Sequence, residues 1–136
     1  MAATILTDAR VEINSVVMTT FVRQVTLSME AEDQDTTAMG GNGYRARLAG
    51  LKDWSVSLEF NQDYAAAAVD ATLYPLFATN TTIKIRPTSA VVSATNPEYS
   101  GSVLVSEYTP LDGSVGDVST TTIPFQGNGV LARAVA

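Results

Sequence analysis

The sequence predicts a mainly β domain with one embedded helix: a two-sheet β-sandwich or a partly closed barrel flanked by that α-helix. Three observations carry this. Short runs of alternating apolar and polar residues recur along the chain, one stretch alone switches to helical spacing, and Gly, Pro, Asn and Asp clusters separate the runs. About seven short strands with one helix fit neither a helical bundle nor an alternating βαβ architecture. A chain of 136 residues, 46% hydrophobic and 16% charged, suits a single domain over residues 1–136 with one core.

Residues 10–17 and 22–30 read as the first strands, because Val25, Leu27 and Met29 alternate against Thr26, Ser28 and Glu30. From Ala31 to Gly43 the chain has no period and carries Gly40, Gly41 and Gly43, which predicts a long loop or extended arm at about 31–43. Structureless loops beyond about 12–15 residues are functional or disordered. Met39 and Tyr44 supply apolar anchors, so the segment with Asp33, Asp35, Met39, Gly40, Gly41, Asn42, Gly43 and Tyr44 is read as a partner-binding arm.

The segment GLKDWSVSLEFNQDYAAAAVDATLYPLF, Gly50 to Phe77, places the helix. In its first half Trp54, Val56, Leu58 and Phe60 share one face, opposite Ser55, Ser57, Glu59 and Asn61. For Trp54, core packing comes ahead of a subunit interface or ligand stacking on that parity. The second half offers Asp63 as N-cap, and Val69, Leu73, Leu76 and Phe77 then form one helical stripe. Burying such side chains is worth roughly 1.5–3 kcal/mol each, which predicts a docked helix rather than a free one.

Beyond the helix, Ile83 and Ile85 alternate with Lys84 and Arg86 until Pro87 ends the strand. Asn96-Pro97 forces a turn or extended entry into a strand over Tyr99 to Tyr108. Asp112-Gly113 within PLDGSVGD signals a hairpin into Val118 to Phe125, and Gly127-Asn128-Gly129 turns into a last strand over Val130 to Val135.

The composition removes much chemistry. With no histidine and no cysteine, the commonest general base, thiolate nucleophiles, disulfides and most transition-metal sites are unavailable. No catalytic, metal or cofactor-binding residue is assigned. Glu59 and Asp63 are the best carboxylate pair for a hydrolase, yet solvation and N-capping account for them. Asp33-Gln34-Asp35 begins like a calcium loop whose later ligands are missing. Asn80-Thr81-Thr82 matches a glycosylation triplet, which counts only after secretion. Gly40-Gly41-Asn42-Gly43 lacks the context of a phosphate-cradling loop. Neither a basic apolar leader nor a membrane-length apolar run is present, so the expectation is a soluble, unprocessed protein with no membrane partner.

A net charge of −6 has the wrong sign for gripping nucleic acid. Acidic residues cluster at Glu30, Glu32, Asp33 and Asp35, followed by Arg45, Arg47 and Lys52. They read either as solvated surface or as complementary patches on neighbouring copies of the chain.

The blocks GLKDWSVSLEFNQDY, the Ala-rich helix ending LYPLF, IKIRPTSA and NPEYSG occur in an order that resembles the major tail tube proteins of long, non-contractile tailed bacteriophages of the siphovirus type. The resemblance covers roughly Val11 to Arg133. It implies a two-sheet β fold with a flanking helix, in hexameric rings stacked into a hollow tube that DNA traverses. It further implies a tape-measure protein within the tube during assembly, tail-terminator or tail-tip proteins at its ends, and a place in the virion tail after assembly in the host bacterial cytoplasm. On this resemblance residues 31–43 reach a neighbouring ring or subunit, and the residues before Val11 and after Arg133 are short terminal arms. Acidic lining would keep phosphates from sticking, which makes Ser28, Glu30, Ser57 and Glu59 the lumen candidates, against an outer solvated face. The alternative is a small β-sandwich module of the phage particle that binds carbohydrate or receptor.

Overall fold

The computed structural model describes residues 5–135, which form eight strands, one short α-helix and two 3-10 turns. The strands are β1 (Arg10–Ile13), β2 (Val16–Val17), β3 (Val22–Asp35), β4 (Arg47–Asn61), β5 (Asn80–Arg86), β6 (Glu98–Leu104), β7 (Thr120–Gly127) and β8 (Ala132–Ala134). All ladders between them are antiparallel and join one sheet in the order β2-β1-β5-β6-β7-β4-β3, with β8 paired to β6. The sheet does not close: β2 ends it on one side and β3 on the other. Hydrogen bonding therefore joins what the sequence allowed as two sheets into one open, partly barrel-like sheet around one core.

That core draws on nearly every strand. Val11 and Ile13 of β1, Val56, Leu58 and Phe60 of β4, Ile83 of β5, Val103 of β6, and Ile123 and Phe125 of β7 are all buried in one cluster. Alternation puts them there, since each strand turns every second side chain inward. The β4–β7 register sets Val56 opposite Phe125 and Leu58 opposite Ile123, so large side chains meet directly.

The first predicted strand is split. Asn14 and Ser15 take φ values of 51° and 66°, which make a two-residue hairpin between β1 and β2. The helix α1 (Val69–Leu73) is shorter than its stripe predicts and starts later. Ala67 lies at φ 60°, which interrupts the Ala-rich run, and Ala68 occupies the N-cap. Asp63 instead closes a local turn by accepting a bond from the Ala65 N–H at 2.9 Å. Val69 and Leu73 are fully buried and Leu76, on the 3-10 turn Tyr74–Leu76, packs partly against the core. Phe77 lies beyond that turn and is 51% exposed, so it falls outside the buried stripe. A helix this short depends on its two core side chains, at roughly 1.5–3 kcal/mol apiece.

The predicted loop at 31–43 is also redrawn. Residues 31–35 belong to β3, and the irregular tip runs only from 36 to 46. Conversely, the strand predicted over Tyr99 to Tyr108 stops at Leu104, and residues 105–119 form an irregular loop before β7.

Candidate functional site

Strands β3 and β4, of 14 and 15 residues, are far longer than the others, and their outer halves have no core to cover. Outward of Met29 and its buried partner Trp54 the hairpin is exposed on both faces, half-buried Gly50 apart, leaving a two-stranded arm. Six strand residues, Glu30 to Asp35, project it by about 20 Å. At the tip the Tyr44 N–H bonds the Gly41 carbonyl at 3.0 Å, with Asn42 and Gly43 at positive φ in a tight turn. Thr36 and Thr37 bond Ala46 across the base of the tip, so the end is tied down rather than loose.

Cross-strand ion pairs hold the arm. Arg47 reaches Asp33 at 3.0 Å and Arg45 reaches Asp35 at 2.9 Å. The Asp35 carboxyl also accepts the Thr37 N–H at 2.8 Å; hydrogen bonding from Thr37, with Arg45 adding, holds it below the usual carboxylate range. Asp33 and Asp35 of the acidic block are thus paired with Arg47 and Arg45 of the basic block within one hairpin. The calcium-like triplet is engaged in the same way, and among the described residues no cluster of acidic side chains could hold a metal.

The arm carries bare apolar side chains. Met39 is fully exposed, Tyr44 is 80% exposed and Leu51 is 76% exposed, while Met29 and Leu48 are mostly bare. These five side chains are concentrated on one projecting element. Sequence reading found Met39 and Tyr44 but missed Leu48 and Leu51. Their signal was weak because a bulge between Ala31 and Asp33 breaks the alternation beside Gly50.

The four lumen candidates share one outward sheet face. Ser28 lies opposite Ser55, Thr26 opposite Ser57, Glu30 opposite Asp53 and Gln24 opposite Glu59; on the other side of β4, Ser57 faces Pro124 and Glu59 faces Thr122. The result is a polar surface across β3, β4 and β7, rich in Ser and Thr. Glu59 lies 3.7 Å from Arg23 and Asp63 caps its own turn, so each has a separate partner.

A second exposed segment is the 105–119 loop, which takes in the predicted turn at 110–117 and the ends of both predicted flanking strands. It presents Leu111, Val115 and Val118 and is latched to the helix. The Tyr108 hydroxyl donates to Asp70 Oδ1 at 2.7 Å, Gln62 Nε2 donates to the Pro110 carbonyl at 2.7 Å, and the Tyr64 hydroxyl reaches the same carbonyl at 2.6 Å. Burial and, after it, the bond to Asp70 push the Tyr108 phenol up to about 12.

No protein-family model matches the chain. No curated protein sequence matches it. Solved structures do match in fold. A chain from the virion of a native gene transfer agent particle superposes with a TM-score of 0.76 at 16% identity, covering 98% of this chain and 100% of that one. A chain from the tail of an empty gene transfer agent particle, solved with C6 symmetry, gives 0.67 at 17% identity, covering 85% and 83%. A chain from the six-fold symmetrised baseplate of the anti-feeding prophage gives 0.62 at 14% identity, covering 99% and 98%. At such identities the likeness is one of fold, and it extends over nearly the whole chain.

Proposed function

We propose that this chain is a structural virion protein that forms the tail tube of a long, non-contractile tailed phage or a related particle, by assembling into hexameric rings that stack around a hollow lumen. The observation that carries this reading is the projecting β3–β4 arm with its bare apolar side chains. Its support is the recurrence of the whole fold in chains of gene transfer agent and prophage particles, two of them treated with six-fold symmetry.

An arm on one part of the chain that binds a different surface on the next copy is a heterologous contact, and such contacts close into rings or continue as filaments. In this reading Asp33, Asp35 and Met39 to Tyr44 act between subunits. The polar face with Ser28, Glu30, Ser57 and Glu59 lines the lumen, where its acidic groups keep DNA phosphates from sticking. The helix, through Val69 and Leu73, buttresses the apolar side of the sheet. The chain performs no catalysis. Its partners are further copies of itself, a tape-measure protein in the lumen and terminator or tip proteins at the tube ends, and it assembles in the host cytoplasm before residing in the tail.

Electron microscopy of the concentrated protein tests this. Rings or hollow tubes are expected, and a chain in which residues 33–49 are replaced by Asn-Gly should remain folded and monomeric. A parent protein that stays monomeric at every concentration, even with tail-assembly partners, would remove the reading.

A further inference from the structure

We propose that an apolar groove at the open mouth of the sheet receives the arm of a second copy of this chain; the proposal rests on the reading of the protein as self-assembling and names the surface that reading leaves unspecified. The groove has a volume of about 180 Å³ and is walled by Ala9, Val25, Leu27, Ile85, Pro87 and Tyr99. Its origin lies in the topology. Val25 and Leu27 point to the core side of β3, opposite Leu58 and Val56. Leu58 and Val56 are buried, whereas Val25 and Leu27 remain half-buried, with β3 the last strand of the sheet and the Leu6–Ala9 segment beside them. Among the described residues no further strand pairs with this edge, so the core is unfinished along it.

Charge selects the occupant. Arg10 and Arg86 are direct cross-strand partners, an arrangement that is unfavourable until an anion joins it. Arg86 lines the groove and donates to the Ala90 carbonyl at 2.7 Å, while Lys84, two residues earlier on β5, stands opposite Glu12. Glu12 only reaches Arg10 at 3.8 Å, and Asp8 is engaged by the Ser89 hydroxyl. The arm has the opposite balance. Asp33 and Asp35 are taken by Arg47 and Arg45, but Glu30, Glu32 and Asp53 at its root form no ion pair among the described residues, and Lys52 is the cation beside them. An arm with bare Leu48 and Leu51 and an acidic root thus complements an apolar groove with a basic rim. Another exposed apolar segment, 105–119, carries Glu107, Asp112 and Asp117 and no cation, so it would repel that root.

The geometry adds a consequence. Val25 and Leu27 of the groove and Glu30 to Asp35 of the arm lie on the same strand, so an arm docked in the groove packs beside the root of its host's own arm.

Two assembly-dead variants test the pairing. The first replaces residues 33–49 by Asn-Gly and keeps the groove; the second, Ala9→Trp, fills the groove and keeps the arm. Leu6→Asp, at the exposed lip, serves as a second groove variant that leaves the core untouched. By sedimentation velocity each is expected to be monomeric alone, and an equimolar mixture is expected to give a one-to-one heterodimer that grows no further. Arg86→Glu should weaken the heterodimer at least tenfold, and Glu32→Lys on the arm-bearing partner should recover most of that loss. If both groove variants polymerise like the parent while the arm-deleted chain does not, the arm docks elsewhere and the groove takes another occupant, which overturns the proposal. Folded variants that give no heterodimer on mixing overturn it too. If the arm-deleted chain itself polymerises, the arm is dispensable and the proposal is overturned, whereas a parent protein that stays monomeric removes the broader assembly reading.

Discussion

The indole of Trp54 lies against the backbone of Gly127 so closely that a Cβ placed on that glycine would sit 2.5 Å from Cε2. Gly101 takes the other end of the ring, where a Cβ would lie 2.6 Å from Cζ2. The indole N–H donates to the Gly129 carbonyl at 2.9 Å. One side chain on β4 therefore fixes β6, β7 and the turn towards β8, at the level where the sheet stops having a core and the arm begins. Gly127→Ala forces the ring or the strand to move and should cost about 1–3 kcal/mol. Trp54→Phe keeps a ring but leaves the Gly129 carbonyl without its donor, a loss of about 1 kcal/mol or more. Chemical denaturation of the two variants checks both values.

Tyr108 makes the alkaline limb of stability specific. Its folded-state pKa, pushed up to about 12 by burial and by Asp70, exceeds the ordinary value of 10.0. The neutral phenol is the form the fold favours, so its contribution is fully present below pH 10 and is lost as pH rises through about 12. In an ultraviolet titration Tyr108 should ionise late, near pH 12 rather than at the ordinary phenol value of 10.0. Tyr108→Phe should abolish that late step and loosen the 105–119 loop, seen as faster amide exchange there.

Bare apolar residues on the arm should matter to assembly and hardly to folding. Leu48→Asp and Leu51→Asp are expected to change unfolding free energy by no more than about 0.5 kcal/mol. Both should raise the concentration needed for polymerisation sharply. Leu58→Ala, in the core, should instead cost about 2–5 kcal/mol. Equilibrium unfolding beside sedimentation separates the two effects.

The distinction between buried and bare residues also marks what was legible in the sequence. Trp54, Val56, Leu58 and Phe60 could be placed inward from alternation alone, because β4 there has a core on one side and polar neighbours on the other. Residues 31–35 could not be read as strand, because a ribbon with solvent on both faces needs no alternation; the backbone ladder to Arg47–Lys52 holds it, with the exposed pairs Asp33–Arg47 and Asp35–Arg45 adding little. The helix was overextended because an apolar stripe cannot report that Ala67 adopts positive φ. Val105 looked like the middle of a strand, yet its N–H and carbonyl are taken by Thr79 and Ala78 after β6 has ended. The groove was invisible for a different reason: its walls come from segments up to about ninety residues apart in sequence, and only the open topology brings them together.

The lumen assignment makes a prediction about infection. Glu59 faces Arg23 at 3.7 Å on the polar sheet face. Glu59→Lys would put two cations there and create a site that holds phosphate, so tails of normal length should eject DNA more slowly and retain some of it. Normal ejection from intact tails would place Glu59 away from the lumen.

The central claim is that this chain builds a hollow, six-fold tube through its β3–β4 arm. A cryo-electron micrograph of the concentrated protein, with helical averaging, measures that directly. The account predicts stacked rings of six copies, each arm in contact with a neighbouring copy and the Ser28–Glu59 face turned to the lumen. A reconstruction in which the arms point into solvent, or in which that polar face forms the outer wall, would contradict it.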